Sequence, residues 1–287
     1  MGIGAAEKLI KYDNVYGIIG PTCSSVALSV APITEANKIV FITPIASTPD
    51  LTYAGDYVFR TKVSGSLQGN KLAEFAFNEL GYRNASIIYI NSDNGVGYKD
   101  SFSKRFGELG GKVLGSESYE RGGTDFRSQL LKVKKENPDF LFLAGQAYEN
   151  GVRQAAELGL DIQIIGPAME RPELIEIAGD AAEGVLYSYS AFDSDDSYEV
   201  TVEYQRNYKE RYGRLSEMHA ANAYDSLVFM AKAIEECDRD SDCIRDYLYD
   251  IKDYEGVSGI ITFDEYGDVV KPLIIKTVKN GEFVEVD

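Results

Sequence analysis

The chain has 287 residues, of which 44% are hydrophobic and 26% are charged, so it is long enough for two globular domains. Its 46 acidic residues outnumber its 29 lysines and arginines, which leaves a formal charge of −17. Because phosphate recognition needs a basic face, this charge argues against partners such as nucleic acid or anionic membranes. No run approaches the roughly 20 apolar residues of a membrane span, and the first residues do not resemble a signal peptide.

The first fifty residues contain two strand-like runs that each end in a loop of small hydroxyl residues. Residues 15–20 lead into Thr22, Cys23 and Ser24, and residues 39–43 lead into a loop with Ser47. Adjacent parallel strands place such loops at one edge of a sheet, where open α/β sheets bind ligands. Hydroxyl groups next to helix N-termini suit a carboxylate.

Along the rest of the chain, apolar runs alternate with helical periodicity, which predicts an α/β protein with parallel sheets. Helices are predicted at 4–12, 23–37, 66–80, 97–109, 125–136, 151–158, 198–212, 217–236 and 241–251. Further strands are predicted at 57–61, 85–91, 112–119, 139–144, 162–165 and 184–189. The tail predicts antiparallel strands at 257–263, 269–277 and 282–286, with a turn at 264–268.

Two of the three cysteines, Cys237 and Cys243, flank a short polar loop between predicted helices. A disulfide across this loop would imply an oxidising compartment. Two reduced thiols are the alternative, and the sequence does not decide between them.

Six short motifs follow one another in a recognisable order. They are Gly-Pro-Thr-Cys-Ser-Ser at 20–25, Ile-Thr-Pro at 42–44, Tyr-Val-Phe-Arg-Thr at 57–61, Asp-Asn-Gly-Val-Gly at 93–97, Asn-Pro-Asp-Phe at 137–140, and the segment 256–268. Each is weak alone. Together they resemble the type I periplasmic binding proteins, above all the branched-chain amino-acid (Leu/Ile/Val) receptors of ABC importers.

This resemblance implies two doubly wound parallel-sheet lobes joined by three crossings, with hinge closure over a ligand between them. Lobe 1 would contain residues 1–61 and 192–262, and lobe 2 residues 62–191 and 263–287. The implied partners are a small amino acid or carboxylate and a membrane permease, with no cofactor. The protein would work in the periplasm or outside the cell, with or without a membrane anchor in its full-length form.

Family members begin with a strand, a helix and a second strand that precede the first helix predicted here. We therefore expect lobe 1 to be incomplete at its N-terminus and to be the less stable lobe, because a sheet without its central strand leaves backbone groups unpaired. In the family, the cysteine of the Cys-Ser-Ser loop pairs with one in that early segment. By this resemblance we expect no disulfide at Cys23.

The resemblance also implies which lobe 1 residues bind ligand. Ser24 and Ser47 occupy the positions that hold the α-carboxylate, and the main-chain carbonyl of Ile45 occupies the position that accepts from the ammonium. As an alternative, Ser24 and Ser47 are only a helix cap and a turn residue. His219 falls on a position that lines the family's apolar pocket, or it faces solvent at a helix N-terminus.

Lobe 2 matches the family less closely. Asn94 and Gln146 stand where the family has aromatic residues, and Tyr148 is a further candidate for ligand contact. The family's acidic residue after a Gly-Pro pair falls on Ala168. Glu170, two residues further on, could accept from an ammonium instead, or it could be a solvated loop acid.

We therefore expect a solute-binding receptor of an ABC importer. The first alternative is a ligand-sensing regulatory or receptor domain of the same fold, which signals through dimerisation. The second is an enzyme that uses Asp195 and Asp196 as acid and base. Adjacent residues point in different directions, and the single histidine has no nucleophile motif beside it, so we expect no catalysis.

Overall fold

A computed structural model describes residues 2–190 and 198–286 of the chain. The chain divides into two compact units. Unit 1 contains residues 1–64 and 191–272, and unit 2 contains residues 65–190 and 273–287. The third crossing therefore lies after residue 272, and the boundary expected at 263 is wrong. The reason is that Val269–Val270 pairs with Gly259–Phe263 and keeps this segment in unit 1. Asp195, Asp196 and the boundary expected at 191–192 lie outside the described residues.

Helices and strands alternate through most of the described chain. The helices are α1 Gly2–Lys11, α2 Ser24–Ala36, α3 Gly65–Glu74, α4 Asp93–Glu108, α5 Arg127–Glu136, α6 Tyr148–Glu157, α7 Pro172–Ala178, α8 Glu199–Tyr212, α9 Met218–Glu236 and α10 Ser241–Tyr249. The strands are β1 Gly17–Ile19, β2 Val40–Thr43, β3 Val58–Arg60, β4 Asn84–Ile90, β5 Lys112–Tyr119, β6 Phe140–Ala144, β7 Gln163–Pro167, β8 Leu186–Ser190, β9 Tyr254–Gly256, β10 Gly259–Phe263, β11 Val269–Val270, β12 Leu273–Lys279 and β13 Glu282–Glu285. Of the helices in these ranges, none is long and apolar enough to cross a bilayer.

Unit 1 contains a three-stranded parallel sheet in the order β1-β2-β3. All four residues of β2 are buried, as expected for a central parallel strand covered on both faces. Helices α2, α9 and α10 contact this strand. A second sheet, β11-β10-β9, is antiparallel. The strand β1 lies at the edge of the parallel sheet, and its residues are half-buried or exposed.

Unit 2 contains a seven-stranded sheet in the order β13-β12-β8-β7-β6-β4-β5. The five strands from β8 to β5 run parallel, and β12 and β13 add antiparallel to them. Aromatic residues of α4 and β6 fill the core under this sheet, where Phe102 stacks on Phe142 with ring centroids 4.1 Å apart. The parallel α/β class predicted from the periodicity is confirmed in both units.

Two of the differences from the predicted local structure have a clear physical reason. The expected strand 269–277 is two strands, since Lys271 and Pro272 interrupt it and its halves join different sheets. The short helix α7 was not predicted, because seven residues after a proline carry too little periodicity to distinguish them from a loop. Cys237 and Cys243 form the disulfide that the sequence left open.

Candidate functional site

In unit 1, the loops that follow β1 and β2 lie side by side. The two strands pair in parallel, with Ile18 opposite Phe41. The hydroxyl of Thr43 donates to the main-chain carbonyl of Pro21 over 2.8 Å and so joins the two loops. The sequence prediction that both hydroxyl loops share one sheet edge is thereby confirmed.

Ser24 is the first residue of α2. Cys23 precedes it at the N-cap position with extended backbone angles, φ −84° and ψ 128°, and its side chain makes no capping bond. Ser24 is thus not the N-cap residue of α2, and its contact with a ligand stays a prediction. The Val26 N–H donates to the Cys23 carbonyl, whereas the N–H of Ser24 has no intrahelical partner, so Ser24 can offer both its N–H and its hydroxyl to an anion. Ser24 and Cys23 are half-buried, whereas Thr22 is exposed.

Ser47 lies in the loop after β2 and is only 5% exposed. The turn before it is closed by the Ala46 N–H, which donates to the Thr43 hydroxyl over 3.2 Å. Ile45 is half-buried in the same turn. Thr48 is 1% exposed, and its hydroxyl has no hydrogen-bond partner among the described residues.

The buried side chain of Arg60 holds this loop in place through a hydrogen bond. The sequence analysis did not identify this role. Its side chain is 1% exposed and donates from Nη1 to the Thr48 carbonyl over 2.7 Å. From Nη2 it donates to the Thr52 hydroxyl over 2.6 Å and forms an ion pair with Asp268. Burial of a charged pair is favourable only when such hydrogen bonds compensate the lost hydration. The signal was available, since an arginine in the apolar run 57–61 needs a buried partner.

His219 is the second residue of α9 and is half-buried. This helix contacts both β1 and β2. The structure thus places His219 on an element that packs against the same sheet as the two loops. Its proposed contact with a ligand side chain stays a prediction.

In unit 2, the candidate residues follow three neighbouring strands. Asn94 lies in the first turn of α4 after β4, Gln146 lies between β6 and α6, and Glu170 lies in the loop after β7. Since β4, β6 and β7 are adjacent and parallel, all three positions belong to the carboxyl edge of one sheet. This is the edge at which doubly wound sheets bind ligands.

Hydrogen bonds between the main chain of Gln146 and the Tyr119 side chain hold the loop that contains Gln146. Tyr119 donates from its hydroxyl to the Gln146 carbonyl, and the Gln146 N–H donates back to the same hydroxyl oxygen over 2.8 Å. Gly145 has φ +149°, and a Cβ there would lie 2.2 Å from the Tyr119 hydroxyl, so only glycine fits. The Gln146 side chain itself is exposed.

Tyr148 is 2% exposed at the start of α6. Its hydroxyl oxygen accepts a hydrogen bond from Arg171 Nε over 2.7 Å, and the Arg171 guanidinium lies 4.9 Å from the centre of the Tyr148 ring. Burial raises the pKa of Tyr148 to about 12, so its phenol is neutral near pH 7. The sequence analysis named Tyr148 but did not predict its contact with Arg171.

Glu170 is not a free loop acid. Its Oε2 accepts from the Tyr187 hydroxyl over 2.8 Å and forms a 2.6 Å ion pair with Lys276. Burial, together with the negative charge of Glu170, raises the pKa of Tyr187, which therefore stays protonated and donates. The second carboxylate oxygen, Oε1, has no hydrogen-bond partner in the described ranges. Glu170 can still accept from a ligand through that atom.

Groups of three or more histidine, cysteine, aspartate or glutamate side chains suited to a metal ion are absent from the described parts of the chain. The polar groups at the two sheet edges are hydroxyls, amides and single charges. Such groups are suited to reversible binding of a small polar molecule.

Comparison with known proteins identifies one family. The family model described as periplasmic binding protein matches residues 2–282 of the chain. The leucine-, isoleucine-, valine-, threonine- and alanine-binding protein of Pseudomonas aeruginosa is 28% identical over 273 residues, which cover 93% of this chain and 72% of the relative.

Solved structures match over almost the whole chain. A leucine-binding protein from Thermotoga maritima is 32% identical with a TM-score of 0.91, and the match covers 100% of this chain and 83% of that one. A solute-binding protein of an ABC transporter from Rhodopseudomonas palustris, in complex with 3,4-dihydroxybenzoic acid, is 26% identical with a TM-score of 0.85, covering 99% and 81%.

Proposed function

This chain belongs to the periplasmic binding protein family, and we propose that it is an extracytoplasmic receptor that delivers a small carboxylate ligand to the permease of an ABC importer. The ligand is an amino acid, with the branched-chain type as the first candidate, or a related small acid. The relatives named for leucine, isoleucine and valine support the amino acid, and the relative with a bound benzoic acid supports the wider carboxylate class.

The observation that carries this proposal is the pair of joined loops at the edge of the unit 1 sheet. Ser24 offers its N–H and hydroxyl at the start of a 13-residue helix, where the backbone dipoles favour an anion. Ser47 lies in the neighbouring loop, and Thr22 and Cys23 complete the set of loop residues proposed to surround the carboxylate. The main-chain carbonyl of Ile45 is proposed to accept from an ammonium group of the ligand.

Unit 2 contributes the groups that distinguish one carboxylate from another. Asn94, Gln146 and Tyr148 are proposed to contact the body of the ligand, and Glu170 is proposed to accept from an ammonium group through its second oxygen. His219 of unit 1 is proposed to line the pocket for the ligand side chain. Ligand binding and release need no covalent step in this scheme.

The disulfide between Cys237 and Cys243 supports an extracytoplasmic location, because disulfides persist in oxidising compartments. A sensor domain of the same fold remains the alternative. Light scattering with and without ligand distinguishes the two: a transport receptor stays in one oligomeric state, whereas a sensor that signals through dimerisation changes its mass.

Thermal unfolding in the presence of candidate ligands tests the proposal. A ligand at a hundredfold excess over its Kd adds about 2.7 kcal/mol to the free energy of unfolding and raises the midpoint. We expect a rise with L-leucine and other L-amino acids and none with leucinamide, which lacks the carboxylate. 4-Methylpentanoate, which lacks the amine of leucine, shows whether the ammonium contributes. A panel of amino acids and small acids without any shift would contradict the proposed function.

A further inference from the structure

Arg171 is a half-buried cation at the carboxyl edge of the unit 2 sheet, and its charge has no partner within the described chain. Its Nε is used by the hydrogen bond to the Tyr148 hydroxyl, and its guanidinium stacks near the same ring. Among residues 2–190 and 198–286, Arg171 forms no ion pair, and its two terminal nitrogens make no hydrogen bond. The Tyr148 contacts thus hold the side chain in place and leave its two Nη groups available.

The neighbouring groups do not neutralise this charge by contact. Tyr148 is neutral near pH 7, for the reason given above. Glu170 is already paired with Lys276. Glu149 and Glu173 attract Arg171 electrostatically, but neither approaches it as an ion pair. A cation that is held in place and lacks a contacting anion is suited to binding one from outside the chain.

The position of Arg171 matches that of the other proposed ligand contacts. It follows β7, whereas Tyr148 follows β6, and these strands are paired in parallel with Phe142 opposite Ile165. Asn94 and Gln146 lie on the same edge, after β4 and β6. The arginine therefore lies among the residues that are proposed to contact the ligand.

We propose that Arg171 binds a second carboxylate of the ligand, so that the preferred ligands are acidic amino acids or small dicarboxylates rather than purely aliphatic amino acids. Guanidinium groups recognise carboxylates through two parallel hydrogen bonds, and two terminal nitrogens suffice for this geometry. The inference rests on the proposed function, since it specifies which small carboxylates the proposed receptor binds. It replaces the branched-chain type as the first candidate ligand, and it differs from the binding specificity in the names of the leucine-binding relatives.

Calorimetric titration with matched ligands tests this assignment. In the pairs L-glutamate and L-glutamine, and L-aspartate and L-asparagine, a charged side-chain carboxylate is replaced by a neutral amide of nearly the same shape, and L-leucine represents the aliphatic class. We expect one acidic member to bind at least about tenfold more tightly than its amide and than leucine, as a charge-assisted hydrogen bond allows. Equal or weaker binding of both acids would overturn the proposal.

Variants of Arg171 test whether this residue causes the preference for acidic ligands. In Arg171→Gln, we expect a roughly ten- to hundredfold loss of affinity for the acidic ligand and less than about a twofold change for its amide. Arg171→Lys should retain part of the preference, because it keeps the charge. Equal losses for acid and amide would assign Arg171 a merely structural role.

Arg83→Gln is the matched control. Arg83 also stacks on an aromatic ring, with its guanidinium 3.7 Å from the centre of Phe77, but it precedes β4 at the opposite edge of the sheet. We expect it to bind every ligand as the wild type does. Binding of leucine and the amides without any preference for acids would overturn the role of Arg171 alone. Failure of all amino acids and of their deaminated counterparts would contradict the proposed function itself.

Discussion

Arg60 donates from Nη1 to the main-chain carbonyl of Thr48 over 2.7 Å, and this bond fixes the loop that carries Ser47. The same guanidinium is paired with Asp268 in the turn between β10 and β11. One buried side chain therefore joins the proposed carboxylate loop to a segment more than two hundred residues away in sequence. The geometry of the loop depends on unit 1 being folded as a whole.

Replacing Arg60 tests this dependence. In Arg60→Met, Asp268 loses its partner and the Thr48 carbonyl loses its donor, so we expect a loss of about 3–5 kcal/mol in the free energy of unfolding of unit 1. Urea denaturation followed by circular dichroism measures the change. Arg127→Gln, which breaks exposed ion pairs with Asp125 and Glu157, is the control and should cost less than about 1 kcal/mol. Equal costs for the two variants would show that the Arg60 network is not stabilising.

The two serines provide the direct test of the carboxylate site. Ser24→Ala and Ser47→Ala each remove one hydroxyl donor to a charged group, and we expect each to weaken ligand binding about tenfold or more. Ser25→Ala is the control, because Ser25 occupies the same helical turn and is exposed. Calorimetric titration measures the affinities. Unchanged binding in both variants would exclude the hydroxyls from the site.

Glu170→Gln separates ammonium recognition from carboxylate recognition. The variant keeps the size of the side chain and one acceptor oxygen but removes the negative charge. We expect affinity for amino acids to fall about tenfold or more, with little change for the deaminated acids, because only the former carry an ammonium. Glu173→Gln, a nearby exposed acid, should change neither. A parallel loss for both ligand classes would restrict Glu170 to its pair with Lys276.

Lys62 should make the stability of unit 1 depend on pH. Burial, and secondly the charge of Lys271, lower the pKa of Lys62 to about 7. In the unfolded chain its pKa is about 10.4, so between these values the unfolded state binds more protons. The free energy of unfolding should therefore rise with pH through this window. Below about pH 7 the cost of the buried charge is fully present.

Lys62→Met removes that cost. We expect the variant to be more stable than the wild type by on the order of 1–4 kcal/mol at pH 6, with the gain shrinking as the pH approaches 10. Lys271→Met is the contrasting variant. It should destabilise the protein, because Lys271 donates to Asn222 and to Ser258, which in turn donates to Asp225. Denaturant titrations from pH 6 to pH 9.5 measure both. A gain that does not vary with pH would argue against titration of Lys62.

Much of the local structure was predictable, because it depends on neighbouring residues. The alternation of apolar runs and helical periodicity predicts β4, β5 and β6 with boundaries close to those observed. The same alternation predicts that the loops with Ser24 and Ser47 share a sheet edge, since consecutive parallel strands are usually adjacent. The prediction fails at 269–277, where composition does not reveal that the chain leaves one sheet and enters another.

The partners of charged residues were not predictable. Arg60 and Asp268 are far apart in sequence, and so are Glu170 and Lys276, whose positions become neighbours only because β12 pairs with β8. Glu170 was proposed from its distance to a Gly-Pro pair, and nothing in that spacing indicates that one of its oxygens is already engaged. The sequence analysis did not select Arg171 as a candidate. An arginine that is solvated at the surface and one that is held in place by a distant side chain cannot be distinguished in a sequence.

The sequence by itself determined the α/β class, the order of the strands along the chain and the hydroxyl loops, because backbone propensity and periodicity act over a few residues. Only the tertiary structure decided which charges are paired, which are buried and which remain available. Burial and ion pairing depend on contacts between distant segments, and these contacts determine whether a given side chain stabilises the fold or is free to bind a ligand.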